Sequence, residues 1–274
     1  MADFVRLENA CSEEDISLLK KDVIPFSVLA SILKTPCEKI YTDHESAVIC
    51  LSSSLHPVWI WAKDGGKQAD IVKIASVLKE EFPLEGGFSY NFSSELLAFL
   101  TAADAYFLKA QKKMGLISYR QDTLVPPEKQ ANGGYYRVRM DELDAFSAIW
   151  RDATYEMTGQ ERDEEFCRER VKKHILSSDM FAWRDENGEL AAICAKSDIF
   201  PFSKLSAVYT LPAFRRKGCA SNLVSAVSML IHEEGMIPIL YTDEGNLASN
   251  DCYKKLGFTE VKRLITVWNG EKAD

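Results

Sequence analysis

The stretch Ala207-Val208-Tyr209-Thr210-Leu211-Pro212-Ala213-Phe214-Arg215-Arg216-Lys217-Gly218-Cys219-Ala220 decides how the second half of this 274-residue chain is read. A β-favouring apolar run meets Pro212, which ends strand pairing because it has no N–H to donate. A basic loop, Arg215-Arg216-Lys217, follows, and then Gly218. After the loop, Leu223, Val224, Val227, Leu230 and Ile231 recur at helical spacing. Such a strand–loop–helix suits an anion. A helix N-terminus presents unpaired N–H groups and partial positive charge. Gly218 lets a ligand approach the main chain, Ala220 keeps the first turn open, and the loop adds full positive charges. A pyrophosphate fits there. Taken alone, the segment reads equally well as a surface loop with a glycine at a helix start, because Arg-x-x-Gly-x-Ala is a short pattern.

A second segment tips the reading. Tyr241-Thr242-Asp243-Glu244-Gly245-Asn246-Leu247-Ala248-Ser249-Asn250-Asp251-Cys252-Tyr253-Lys254-Lys255-Leu256-Gly257-Phe258 runs from a strand end through a polar loop into a short helix closed by Gly257. Asn250 and Tyr253, three apart, share a helix face. A tyrosine there can hydrogen-bond and protonate a leaving thiolate. Its plain alternative is a packing tyrosine.

Working outward, Tyr135–Val138 reads as a strand. Helices follow, from Asp141 to about Tyr155 and from about Arg162 to Leu176. Met180–Arg184 and Leu190–Lys196 form a hairpin around Asn187-Gly188. Strands are expected at Leu205–Leu211, Ile237–Thr242 and Phe258–Trp268, and helices at Cys219–Glu234 and Ser249–Leu256. The first half shows a similar order. A helix over Glu13–Leu33 breaks near Pro25. Strands follow at Glu38–Thr42, Ser46–Ser52 and Pro57–Ala62, then the turn Lys63-Asp64-Gly65-Gly66. A helix over Asp70–Phe82, a strand over Gly87–Phe92, a helix after Ser93 or Ser94 and a strand at Leu116–Arg120 complete it. Pro126-Pro127 and Gly133-Gly134 mark a linker. The division is therefore 1–124, a linker over 125–134, and 135–274. The fold class is α/β (α+β), and the matching element order reads as a degenerate duplication.

Composition bounds the function. The net charge of −8 excludes a general nucleic-acid binder, which needs basic surface to release counterions, and weakly favours a cationic partner such as an amine. The 7 cysteines include no Cys-x-x-Cys pair and the 4 histidines no ligand spacing, so no metal is expected. No signal peptide or membrane-spanning run is read, and the expected location is cytoplasmic with reduced thiols. Trp59, Trp61, Tyr90 and Phe92, at strand spacing, read as core.

The two segments together resemble the GNAT (general N-acetyltransferase) superfamily. Its acyl-CoA signature, Gln/Arg-x-x-Gly-x-Gly/Ala, is matched by Arg215, Gly218 and Ala220. Its later signature, Asn-x-x-(Ala/Ser)-x-x-x-Tyr-x-x-x-Gly-Phe, is matched by Asn246, Ser249, Tyr253, Gly257 and Phe258. The resemblance covers Tyr135 to Trp268, about half the chain. It implies a mixed, mostly antiparallel sheet flanked by helices, and transfer of an acetyl group from acetyl-CoA to a primary amine of a small molecule or peptide by direct attack. The main chain of Val208, Tyr209 and Thr210 would bind the pantetheine arm. Amides of Arg216, Lys217, Gly218, Cys219 and Ala220 would hold the pyrophosphate, with Arg215 flanking. Asn246 would reach the cofactor arm, and Tyr253 would be the general acid.

Many relatives carry a glutamate on the strand before the proline, and Leu205–Thr210 has none. Asp198, Glu244 or a water chain through Ser206 and Tyr209 are the candidate bases. The first half lacks the signature, so no CoA is expected there. The missing glutamate leaves a second reading open, a non-catalytic acyl-CoA-binding or sensor protein. Expected partners are an acyl-CoA and an amine acceptor, with a homodimer as the candidate assembly, and neither nucleic acid nor membrane.

Overall fold

The computed structural model describes residues 3–8, 10–54, 56–159 and 161–270. The chain forms two compact units. The first contains 1–118, 242–246 and 261–274, and the second contains 119–241 and 247–260. These are not contiguous halves. The reason lies in the last strand, whose residues Leu264–Val267 pair with Tyr90–Ser93 of the first unit.

The first unit holds β1 (Val5–Leu7), α1 (Glu13–Leu18), α2 (Ser27–Ile32), β2 (Lys39–Thr42), β3 (Ala47–Leu51), β4 (Val58–Ala62), α3 (Ile71–Glu81), β5 (Tyr90–Ser93), α4 (Ser94–Ala103) and most of β6 (Gln111–Arg120). Strand β1 was not foreseen. Its three residues are too short to show alternation. Strands β1 to β4 pair antiparallel in chain order, and β4 then pairs parallel with β5. Every residue of β3, β4 and β5 is buried. That is the pattern of strands covered on both faces. Ile74, Ala75 and Leu78 of α3 pack into that core with Ile49, Ile60 and Phe92.

The second unit holds β7 (Gly134–Arg137), α5 (Leu143–Thr158), α6 (Glu164–Leu176), β8 (Met180–Arg184), β9 (Leu190–Ile199), β10 (Phe202–Thr210), α7 (Cys219–Glu233), most of β11 (Ile237–Asp243), α8 (Leu247–Lys255) and the start of β12 (Thr259–Trp268). Strands β7 to β10 are antiparallel in sequence, and β10 runs parallel to β11. The sheet is thus mixed and mostly antiparallel, with helices against it. Val138, Phe146, Val171, Ile175, Met180 and Ile193 form a core between α5, α6 and the sheet. The strand senses of β2-β3-β4-β5 recur in β8-β9-β10-β11, each with a helix at the parallel crossover. Among the described residues, no helix is long and apolar enough to cross a membrane.

The stretch expected as a linker is bound along the second unit. Val125 N–H donates to Leu256 O at 3.2 Å, Lys255 pairs with Glu128 at 2.9 Å, and Asn222 Nδ2 donates to Lys129 O at 2.7 Å.

Candidate functional site

The site is built where β10 parts from β11. The parallel ladder joins Phe202–Leu205 to Ile237–Leu240 and goes no further. On its other side β10 stays paired to β9, but the register shifts between Ser206 and Tyr209. Ala207, at φ 49°, carries that bulge. A non-glycine residue there costs roughly 1–2 kcal/mol, and such strain persists where the surroundings hold it. The bulge turns the main chain of Val208–Thr210 along an edge that the β10–β11 ladder has left. Side chains on the other face stay anchored, since Ala207 and Tyr209 pack on the core beneath α5.

The loop after Pro212 contains the second strained residue, Arg216, at φ 62°. Gly218 follows at φ 90° as the N-cap of α7 and offers no side-chain cap. Among the described residues, no main-chain carbonyl or neighbouring side chain takes up the amides of Arg216 to Ala220. The first amide satisfied inside α7 is that of Asn222, on Gly218 O at 3.0 Å. The five adjacent donors of Arg216–Ala220 at a helix start are therefore left for an outside acceptor. The loop is held from behind, with Lys129 Nζ on Arg216 O at 3.0 Å and Asn222 Nδ2 on both Lys129 O and Gly218 O.

The first unit is built differently at its matching helix start. There the Asp70 side chain accepts from the amide of Lys73 and caps α3 with its own carboxylate. An incoming phosphate would meet that negative charge.

Arg215 is engaged away from the loop amides. Its Nη2 lies 2.6 Å from Glu156 Oε2 and its Nε donates to Thr210 O at 3.1 Å. Tyr209 also donates to Glu156, at 3.0 Å. The Arg215 guanidinium holds the Glu156 carboxyl below its ordinary value. Glu156, at the far end of α5, escaped the sequence reading because nothing local marks it.

Tyr253 is 7% exposed, against Tyr119 at 6.4 Å and Phe258 at 5.8 Å between ring centroids. Its hydroxyl makes no hydrogen bond among the described residues, and it is not sealed off from solvent. Burial pushes its pKa well above the ordinary tyrosine value. The neighbouring Asn250 is occupied, accepting from Tyr119 at 2.9 Å. Asn246 lies in the turn before α8, counted with the first unit, its N–H on Asp243 O at 3.1 Å.

The candidate bases are both paired. Asp198 receives Lys196 Nζ on each oxygen at 3.0 Å and the Ser203 hydroxyl at 2.6 Å. Glu244, in the first unit, is ion-paired with Lys112. Among the described residues, no group of three or more His, Cys, Asp or Glu could hold a metal ion.

Beside Ser206 a cavity of about 330 Å³ opens between α5, α6, β9 and β10, lined by Trp150, Arg170, His174, Lys204 and others. Burial, with the charge of Arg170, pushes the His174 imidazole down to about 4. A depressed histidine binds its proton more readily when unfolded. Its stabilising effect is therefore whole above the ordinary value of 6.5 and is lost as pH falls from there towards 4. Allowing for partial exposure, stability should drop by about 1 kcal/mol between pH 6.5 and 5 on this account. Denaturant midpoints measured across that range should flatten in His174→Gln. An unchanged acid limb would refute the assignment.

The family described as FR47-like protein matches residues 182–268. Among solved structures, a GCN5-related N-acetyltransferase from Sphaerobacter thermophilus superposes with a TM-score of 0.68 at 13% identity, covering 99% of this chain and 97% of that one. A GNAT-family acetyltransferase from Colwellia psychrerythraea gives 0.64 at 13% identity, covering 97% and 98%. A Drosophila protein gives 0.66 at 13% identity, covering 98% and 99%. No curated protein matches the chain. The C-terminal half carries the GNAT fold, and the likeness to these structures runs through the first half as well.

Proposed function

We propose that the protein is an N-acyltransferase that moves an acetyl group from acetyl-CoA to a primary amine. The observation that carries this reading is the row of unengaged amides at Arg216–Ala220, at the start of α7 and below a strand edge that has left its neighbour. A pyrophosphate with a pantetheine arm is a ligand of that shape and charge. Arg216, Lys217, Gly218, Cys219 and Ala220 hold the pyrophosphate, and the main chain of Val208, Tyr209 and Thr210 holds the arm. Arg215 flanks the pyrophosphate with its charge while its Nη2 and Nε are held by Glu156 and Thr210 O.

In the reaction a neutral amine nitrogen attacks the thioester carbonyl carbon, the C–S bond breaks, and the thiolate ends as a thiol with a proton. Tyr253 serves the breaking of the C–S bond. An alkyl thiol ionises near 8.5 and an unperturbed tyrosine near 10, and burial raises Tyr253 further. Full transfer of its proton to the thiolate is uphill, so Tyr253 acts mainly as a hydrogen-bond donor to the developing charge. The proton that finally reaches the sulfur comes from the attacking nitrogen. Tyr253→Phe should lower kcat by roughly 10–100-fold with little change in acetyl-CoA affinity. A kcat within twofold of wild type would remove Tyr253 from the mechanism.

One observation favours a second reading, binding without catalysis: Asp198 and Glu244 are both tied to lysines. A water chain through Ser206 and Tyr209 of β10 that carries the amine's proton to solvent answers it within the catalytic reading. The deciding experiment is thermal shift with acetyl-CoA followed by thiol release with a panel of amines. Stabilisation with turnover supports the transferase, and stabilisation without turnover for any amine supports the sensor.

A further inference from the structure

The cavity between α5, α6 and the sheet has a chemistry that the acetyl-CoA reading does not use. Its lining carries four cationic side chains, Arg162, Arg170, Lys173 and Lys204, and no carboxylate. This stands out in a chain whose net charge is −8. Arg170, Lys173 and Lys204 form no ion pair among the described residues. Lys172, beside Lys173 but outside the lining, is paired with Glu169. Arg162 and Arg170 both stack on Phe166, at 5.2 and 5.7 Å from the ring centroid. Lys204 sits on β10 opposite Ser197. Like charges gathered in a concave, partly desolvated space repel unless an anion enters. The protein shows that cost: burial and the Arg170 charge pull Lys204 below its ordinary value, and the same causes depress His174.

The cavity's position gives the anion a purpose. Ser206 lines it and is the first β10 residue beyond the parallel ladder, next to the bulge at Ala207. Ser206, Ser197 and Thr154 add hydroxyl groups, and Trp150 adds an apolar wall. About 330 Å³ is near the lower end of small-molecule pockets.

We infer that this basic cavity is the anion-binding part of the acceptor site, and that the acceptor is a small amine carrying a carboxylate or a phosphate. The inference rests on the acetyltransferase reading for the word acceptor. The anion site itself does not. Arg170 and Lys204 hold the anionic end, with Arg162 and Lys173 at its margin, and the amino end lies toward Ser206 and the bulge. The weak expectation of a cationic partner, drawn from overall charge, is replaced here by an amine whose other end is negative.

The test pairs acceptors that differ only in charge: free α-amino acids against their carboxamides, and aminoalkyl phosphates against the matching amino alcohols. The anionic member of at least one pair should have a kcat/KM at least about tenfold above its neutral partner. In Arg170→Gln and Lys204→Met that ratio should fall by about 10–100-fold, with melting temperature checked in each. Which pair shows the larger ratio tells carboxylate from phosphate. Equal kcat/KM within both pairs, or a ratio untouched by both variants, overturns the inference. Calorimetric titration with inorganic phosphate, each protein (wild-type cavity or variant) also carrying Gly218→Glu to remove the anion site at the start of α7, is the second arm and needs no acetyl-CoA. Phosphate bound by the wild-type cavity and lost in both variants supports the anion site even if acetyl-CoA fails to bind and the transferase reading falls. No binding to the wild-type cavity, or binding that survives both substitutions and so belongs elsewhere, overturns it.

Discussion

Gly218→Glu should abolish acetyl-CoA binding, raising Kd by at least about 100-fold, or about 2.7 kcal/mol. Two effects add. Gly218 sits at φ 90°, and a Cβ there would lie 3.1 Å from Lys129 O and 3.4 Å from Lys129 Cγ. The new carboxylate would then stand at the start of α7, where the amides of Arg216–Ala220 await an acceptor, and would compete for them from within. Gly218→Ala separates the two, since it keeps the φ strain and the close approach but adds no charge. The alanine variant should lose a modest part of the affinity, and the glutamate variant essentially all of it. Wild-type binding should also weaken with ionic strength, as a pyrophosphate held by dipoles and surface lysines requires. The readout is the acetyl-CoA-dependent rise in melting temperature, which should vanish in Gly218→Glu while the unliganded melting point falls by only a few degrees. A glutamate variant that acetyl-CoA still stabilises as wild type would move the cofactor off this loop.

The elements of that loop were legible because each is dictated locally. Pro212 stops a strand, Gly218 permits a left-handed cap, and Leu223, Val224, Val227 and Ile231 fix the buried face of α7. Most strand and helix positions followed from the same kind of signal, to within a few residues at their ends. What the sequence hid was everything set by distant contact. The bulge at Ala207 has no residue signature, since alanine rarely takes φ near 49° and only the surrounding ladder imposes it. The ion pair between Arg215 in the loop and Glu156 on α5 has no local signature either. The helix expected over Glu13–Leu33 with a break near Pro25 is indeed two short helices on either side of that proline, but the 3-10 turn at Leu19–Asp22 is not something Pro25 alone predicts. The helix expected from Asp141 opens with a 3-10 turn, Met140–Glu142, ahead of α5. The basic cavity draws Arg170 and Lys173 from a helix and Lys204 from a strand, so no sequence window contains it. Long-range pairing of Leu264–Val267 likewise divides the last strand between the two units, which reading in chain order does not reveal.

Gly257→Val should be the most destabilising single substitution in this part of the molecule, by about 3 kcal/mol or about 10 °C. Gly257 ends α8 at φ 90°, and Phe258 N–H returns to Tyr253 O at 3.0 Å, closing the helix around a left-handed residue. The space beside it is already filled. A Cβ at Gly257 would stand 2.3 Å from Thr123 O and 3.0 Å from Val125 Cγ2, and a main-chain oxygen cannot yield as a flexible side chain can. Gly188 supplies the control, for it too has positive φ, at 80°, but a Cβ there would meet nothing within 4 Å. Gly188→Ala should therefore cost only about 1 kcal/mol, the conformational part, and the excess at position 257 measures the clash. The consequence reaches the cofactor loop through the segment that lies on Gly257. Val125 N–H and Gln121 Nε2 both bond Leu256 O, at 3.2 and 2.6 Å, and the same segment continues to Lys129, whose carbonyl and ammonium brace Asn222 and Arg216. Pushing Thr123 away from Gly257 should loosen that brace, so Gly257→Val should lose acetyl-CoA affinity as well as stability. Hydrogen exchange should quicken at the Val125 amide and, further along, at the Asn222 amide. Loss of stability with unaltered exchange at Asn222 would mean that the segment packs on α8 without supporting the loop.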